Sequence, residues 1–222
     1  VNAKANAGTY AIIASDASGQ GLHNYDISYQ SGSLVINPRT LTITASNQIS
    51  VYGISKSLGT TAFTASGLVN GDRITGVALR LANGGAITVA ATVAAGTYAI
   101  NVSAPSPSLI SRNYNITYTA GSVVVNQAVL TVTANPLSIT AGNLGNLNSV
   151  ASFTVSGWRN NNQNTTSVTG VSYSTTANGS SAVGSTYAVT PTGGIISGAA
   201  AGNYTISYAA GVLTIIAPSG GQ

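Results

Sequence analysis

Three copies of one six-residue phrase constrain this chain more than anything else in it. Asn24-Tyr25-Asp26-Ile27-Ser28-Tyr29 recurs as Asn113-Tyr114-Asn115-Ile116-Thr117-Tyr118, and again as Asn203-Tyr204-Thr205-Ile206-Ser207-Tyr208. Gly8-Thr9-Tyr10-Ala11-Ile12 returns as Gly96-Thr97-Tyr98-Ala99-Ile100, and then as Ser185-Thr186-Tyr187-Ala188-Val189. Leu41-Thr42-Ile43-Thr44-Ala45 pairs with Leu130-Thr131-Val132-Thr133-Ala134, and Phe63-Thr64-Ala65-Ser66-Gly67 with Phe153-Thr154-Val155-Ser156-Gly157. The period is far longer than the ~20–30 residues of a solenoid coil. Each copy is therefore long enough to own a small core, which predicts beads rather than one continuous stack. The register gives residues 1–37 as the C-terminal part of a truncated repeat, 38–127 as a complete repeat, 128–217 as a complete but divergent one, and 218–222 as a flexible tail.

Strands dominate each copy. Tyr114, Ile116 and Tyr118 alternate with Asn115, Thr117 and Thr119, the period of a half-buried strand. Further strands are expected over 41–45, 62–66, 77–81, 86–91 and 96–102. Thr119-Ala120-Gly121 reads as a three-residue hairpin loop with glycine left-handed, and Gln30-Ser31-Gly32 and Ala209-Ala210-Gly211 repeat it. The alternating tyrosines are expected to bury their rings and keep their hydroxyls at the sheet rim. Gly71-Asp72-Arg73-Ile74-Thr75 is the one stretch suited to a helical turn, with Asp72 as N-cap. Its counterpart, 160–166, has no apolar periodicity and is expected to be a plain loop. Joints such as Ile36-Asn37-Pro38-Arg39 and Val125-Asn126-Gln127-Ala128 contain no Gly/Ser linker, which limits bending. The expected fold class is all-β with one short helical turn per unit: tandem small β-sandwich or β-grasp-like domains arranged as a rod. A helix at 70–76 would favour the β-grasp.

Composition removes most chemistry. Only 5% of residues are charged, against about 25% in ordinary domains, so 28 Ser, 27 Thr and 26 Gly cover much of the surface. General acid–base catalysis needs paired titratable groups, and the supply is Asp16, Asp26, Asp72 and His23. Asp26 falls where Asn115 and Thr205 fall, and His23 where Arg112 and Gly202 fall, the exchange pattern of solvent-facing positions. Residues 128–217 contain no acid, so no oxygen-rich calcium site is shared by every repeat. Without cysteine there is no disulfide framework or thiolate metal site. Lys4 and Lys56 occupy non-equivalent positions, which removes a repeat-wide lysine–asparagine crosslink. The basic residues are scattered and form no phosphate-tracking stripe. No apolar run approaches the ~18 residues of a membrane span. The expectation is a non-enzyme with no catalytic, cofactor or metal site, no nucleic-acid partner and no membrane insertion.

The set Leu41-Thr42-Ile43-Thr44-Ala45, Val51-Tyr52-Gly53, Ser66-Gly67-Leu68-Val69-Asn70-Gly71-Asp72, Gly96-Thr97-Tyr98-Ala99-Ile100 and Asn113 to Tyr118, closed by Gly121 to Val125, resembles the MBG-type repeats of large bacterial adhesins. These include filamentous-haemagglutinin-like and biofilm-matrix proteins. The resemblance covers essentially the whole chain. The last repeat departs from it: Ala141-Gly142 stands in place of Tyr52-Gly53, and Trp158-Arg159-Asn160-Asn161-Asn162 in place of Leu68 to Asp72. What the resemblance implies is secretion, display at the cell surface or in biofilm matrix, and a structural stalk whose partners are the flanking repeats of the same long chain.

A carbohydrate-binding module is the alternative. Trp158 is the one aromatic that breaks the repeat, and with Arg159, Asn160 and Asn161 it forms the candidate contact for extracellular polysaccharide or host glycans. Because it replaces Leu68, core filling is the favoured reading of the two.

Overall fold

The structure, a computed structural model, describes residues 4–218; of the tail expected at 218–222, residues 219–222 lie outside the described residues. The chain divides into two compact units. The first comprises Val1–Gln48, Ser57–Thr88 and Tyr98–Val123, the second Ile49–Lys56, Val89–Thr97 and Val124–Gln222. The division does not follow the repeat register, since two internal segments of repeat 38–127 and its last four residues belong with the repeat after it.

The first half of the chain runs β1 (Gly8–Ile12), β2 (Gly32–Ile36), β3 (Arg39–Ala45), β4 (Gln48–Val51), β5 (Lys56–Ser57), β6 (Phe63–Ser66), β7 (Gly76–Leu81), β8 (Thr88–Val89), β9 (Gly96–Ser106), β10 (Tyr114–Thr119) and β11 (Gly121–Asn126). β1 and β2 form an antiparallel pair with Gly8 opposite Ile36. β3 is central in the order β10-β3-β6, parallel to β10 and antiparallel to β6. A second sheet has the order β4-β11-β9-β7. Burial alternates along each strand: Leu41, Ile43 and Ala45 on β3, Val77, Leu79 and Leu81 on β7, Ile100 and Val102 on β9, Val123 and Val125 on β11. The β10-β3-β6 and β4-β11-β9-β7 sheets thus each have one buried face, the period-2 consequence of the pleat, whereas β1 and β2 hold no buried residue.

Repeat 128–217 gives β12 (Ala128–Ala134), β13 (Leu137–Thr140), α1 (Leu147–Val150), β14 (Phe153–Ser156), β15 (Thr166–Thr169), β16 (Ser172–Thr175), β17 (Thr186–Thr192), β18 (Ile195–Gly198), β19 (Tyr204–Ala209) and β20 (Gly211–Ile216). The order β14-β12-β19 repeats β6-β3-β10, and β13-β20-β17-β16 repeats the second sheet. β12 and β19 lie against β17, so the two sheets face each other as a sandwich. Ala134, Ile139, Tyr173, Val189, Leu213 and Ile215 pack between them. No helix among the described residues is long and apolar enough to cross a membrane.

The all-β expectation holds, and the sandwich replaces the β-grasp alternative. Four local expectations differ. No helical turn forms at 71–75; instead a short 3₁₀ turn occupies Asn162–Asn164, in the segment expected to be a plain loop. Thr119-Ala120-Gly121 is not a hairpin, because β10 and β11 lie in different sheets and the chain crosses between them at Ala120. Gly121 serves close approach rather than a left-handed turn: a Cβ there would press into the Ala45 carbonyl oxygen, and one at Gly211 into that of Ala134. Asn24–Tyr29 is not a strand, although its copies are. β10 and β19 each lie parallel on the opening strand of their own repeat, and residues 4–37 hold no such strand. Finally, only the first tyrosine of the second and third phrases is buried, and neither tyrosine of the first phrase is. Tyr114 and Tyr204 are 3% exposed, whereas Tyr118 and Tyr208 look outward and Tyr25 is 74% exposed.

Candidate functional site

The segments that cross the repeat register come together at a turn. Val51-Tyr52-Gly53-Ile54 is a β-turn, closed by the Ile54 N–H donating to the Val51 carbonyl at 3.1 Å. Its third position requires positive φ, which glycine supplies (Gly53, φ +84). The Tyr52 N–H donates to the Asn126 carbonyl (2.9 Å) and the Gly53 N–H to that of Ala91 (3.0 Å), so the corner is anchored on both sides. An aromatic side chain at such a corner leaves its own sheet and needs cover from elsewhere. Tyr52 has it, being only 4% exposed.

The cover comes from Tyr204 and the loop 158–162. The Tyr52 and Tyr204 rings meet edge to face with centroids 5.5 Å apart, and Trp158 meets Tyr204 in the same way, also at 5.5 Å. Edge-to-face pairs of this kind contribute about 0.5–1.5 kcal/mol each beyond area burial. The Asn162 Nδ2 group donates to the Tyr52 hydroxyl at 2.7 Å and to the Tyr204 hydroxyl at 3.1 Å, using both of its hydrogens. The Arg159 N–H donates to the Tyr204 hydroxyl (2.9 Å), which donates in turn to the Arg159 carbonyl (3.1 Å). Gly53 lies beneath the Arg159 side chain, so a Cβ there would overlap its Cβ, Cγ and Cδ. Asn160 Nδ2 donates to the Ala91 carbonyl (3.0 Å), and the Ala95 N–H donates to Asn203 Oδ1 (2.8 Å).

The asparagines of this loop have a backbone role too. The Asn162 N–H donates to the Arg159 carbonyl, closing a turn in which Asn160 (φ 53) and Asn161 (φ 58) are both left-handed. Two consecutive positive φ values define the type I′ turn, and asparagine is the non-glycine residue that best tolerates them. Val69-Asn70-Gly71-Asp72 folds the same way, with Asn70 at φ 58 and Gly71 at φ 80.

The first unit repeats half of this arrangement. The Val69 N–H donates to the Tyr114 hydroxyl (3.0 Å), which donates to Asp72 Oδ2 (2.7 Å). Desolvation raises the Tyr114 hydroxyl pKa above its ordinary value and the Asp72 carboxylate adds to the rise, while the Val69 hydrogen bond and Arg39 oppose it. The Ala7 N–H donates to Asn113 Oδ1 at 2.9 Å, matching Ala95 to Asn203, and Asn113 Nδ2 donates to Asn6 Oδ1 (2.8 Å).

Of the four residues singled out from sequence, Trp158, Arg159 and Asn160 are brought together in this packing, and Asn161 supplies its left-handed turn. Trp158 is half-buried and the other three are exposed. Tyr52, Gly53, Asn162, Asn203 and Tyr204 were not among them. The signal for Tyr52 was present: a bulky aromatic beside glycine, outside any strand alternation.

Tandem two-sheet β repeats with a Tyr-Gly turn define the class. The MBG domain model, YGX type, matches residues 41–124 and 130–214, and the chain belongs to that family. No curated protein and no solved structure matches it.

Proposed function

We propose that this chain is a non-enzymatic scaffold, a stretch of stalk from a secreted bacterial adhesin displayed at the cell surface or in biofilm matrix. The observation that carries the reading is the seated Tyr-Gly turn. It commits an aromatic cluster and three side-chain hydrogen bonds, Asn162 to Tyr52, Asn160 to Ala91 and Ala95 to Asn203, to fixing segments 49–56 and 89–97 of one repeat against the loop and strand of the next. The Ala-to-Asn hydrogen bond recurs at 7/113 and 95/203, as expected of a joint built for repetition. β11 ends at Asn126 and β12 begins at Ala128, so the covalent connection is also short. Small-angle scattering of the full chain tests the reading: an elongated profile is expected, and a compact sphere would sink it.

The alternative, a glycan-binding module, would use Trp158, Arg159, Asn160 and Asn161. Trp158 and Asn160 are already engaged in the packing described above, which leaves less for a sugar. Glycan binding lost on Trp158→Ala, with the fold intact, would restore that alternative.

A further inference from the structure

The loop and tyrosine that receive Tyr52 have counterparts in the first unit. Arg159, Asn160, Asn162, Asn203 and Tyr204 correspond to Val69, Asn70, Asp72, Asn113 and Tyr114. All five of these counterparts line a cavity of about 160 Å³. Asp72 and Asn113 also line a second cavity, of about 310 Å³, with Asn6, Arg73, Ile110 and Arg112. The framework around them is the same: the type I′ turn, the buried tyrosine hydroxyl held by the loop, and the asparagine amide bound to an upstream Ala N–H.

We propose that this cavity is a receptor for the Tyr-Gly turn of another MBG repeat, with the incoming tyrosine hydroxyl donating to Asp72. The occupant follows from the equivalent site, where a Tyr-Gly turn is what the same framework holds. The polarity follows from the one exchange at its centre. Asn162 donates to the Tyr52 hydroxyl, whereas an ionised Asp72 only accepts, and a phenolic hydroxyl satisfies either partner. Aspartate therefore selects tyrosine over phenylalanine, because only the hydroxyl gives the carboxylate a second donor beside Tyr114. A second copy of this chain is not the occupant. Its Tyr52 is already buried, and the equivalent corner of repeat 128–217 carries Ala141.

This inference rests on the joint geometry and not on where the protein resides, so a compact scattering profile would leave it standing. The test inserts a second copy of residues 38–126 between Asn37 and Pro38. That gives both joints an Asn-Pro step, the natural Asn37-Pro38 and a new Asn126-Pro38 in its likeness, and places a new Tyr-Gly turn upstream of the cavity. A thermal double-mutant cycle then combines Tyr52→Phe in the inserted copy with Asp72→Ala in the copy that follows. Tyr52→Phe is expected to lower Tm by about 5 °C, the scale of one lost hydrogen bond in a domain of this size, and Asp72→Ala by more, because it also removes the acceptor of the Tyr114 hydroxyl. The pair should lower it no further than Asp72→Ala alone. Strictly additive losses would overturn the proposal. Should the inserted repeat not fold, the unaltered chain is titrated with a cyclised peptide of residues 49–56. Saturable shifts at the Val69 and Asp72 amides support the receptor, and their absence at ten millimolar peptide overturns it.

Discussion

Repeats 38–127 and 128–217 place a glycine turn at the same point and use it differently. Tyr52-Gly53 sits at the end of β4 and Ala141-Gly142 at the end of β13, each closed by the same hydrogen bond and each with glycine left-handed, φ +84 and φ +86. A Cβ on Gly53 would strike Arg159, yet around Gly142 nothing lies within 4 Å. Tyr52 leaves its own sheet for a neighbour's aromatic cluster, while Ala141 packs partly buried on its own core. The turn is thus common scaffolding, and the residue before the glycine decides whether it docks.

Four experiments press on that contrast. Tyr52→Ala should cost the second unit the most, about 3–5 kcal/mol in urea unfolding, the usual range for losing a buried aromatic ring; a loss below about 1 kcal/mol would mean the ring is ornamental. Gly53→Ala and Gly142→Ala share a left-handed backbone cost of about 1–2 kcal/mol, but only the first must also displace Arg159, so its fall in Tm should be the larger. Equal falls would break the contrast. Asn162→Asp converts the second loop to the chemistry of the first. Both tyrosine hydroxyls can turn to donate, so the expected change is within about 1 kcal/mol at neutral pH. A much larger loss would show that Tyr52 requires a donor. The smallest effect concerns alkali. Tyr114 has a folded pKa raised above its unfolded value of 10.0, so its contribution is complete below pH 10 and is lost as pH rises through the folded pKa. Tyr173 is raised by burial in the same direction. Tyr114→Phe should flatten the alkaline decline of the first unit and leave that of the second unchanged.

Much of the fold was legible in the sequence, because repetition and alternation are local. The strands at 41–45, 77–81 and 114–119 follow directly from the pattern of apolar residues, although on the last only Tyr114 is buried. What the pattern hid was partnership. Asn24–Tyr29 and Asn113–Tyr118 carry nearly the same phrase, but only the second has an opening strand to lie against. Gly121 looked like a hairpin glycine because a strand that changes sheets reads locally like two strands joined by a turn. The docking of Tyr52 was hidden for the same reason, since its cover lies more than a hundred residues away. Trp158 drew notice as an exception, and it packs edge to face on Tyr204.

The parallel pairing inside each repeat bears on what happens under load. In repeat 128–217, β13 runs parallel to β20, from Leu137 opposite Leu213 to Thr140 opposite Ile216, and β12 runs parallel to β19. Opening and closing strands that point the same way cannot be peeled apart from a shared end when the chain is pulled by its two ends. They must slide past one another, so the slanted hydrogen bonds of the ladder are strained together rather than one at a time. Such a repeat holds its length until the whole ladder gives way, and its survival under tension is set by the rate of that single event.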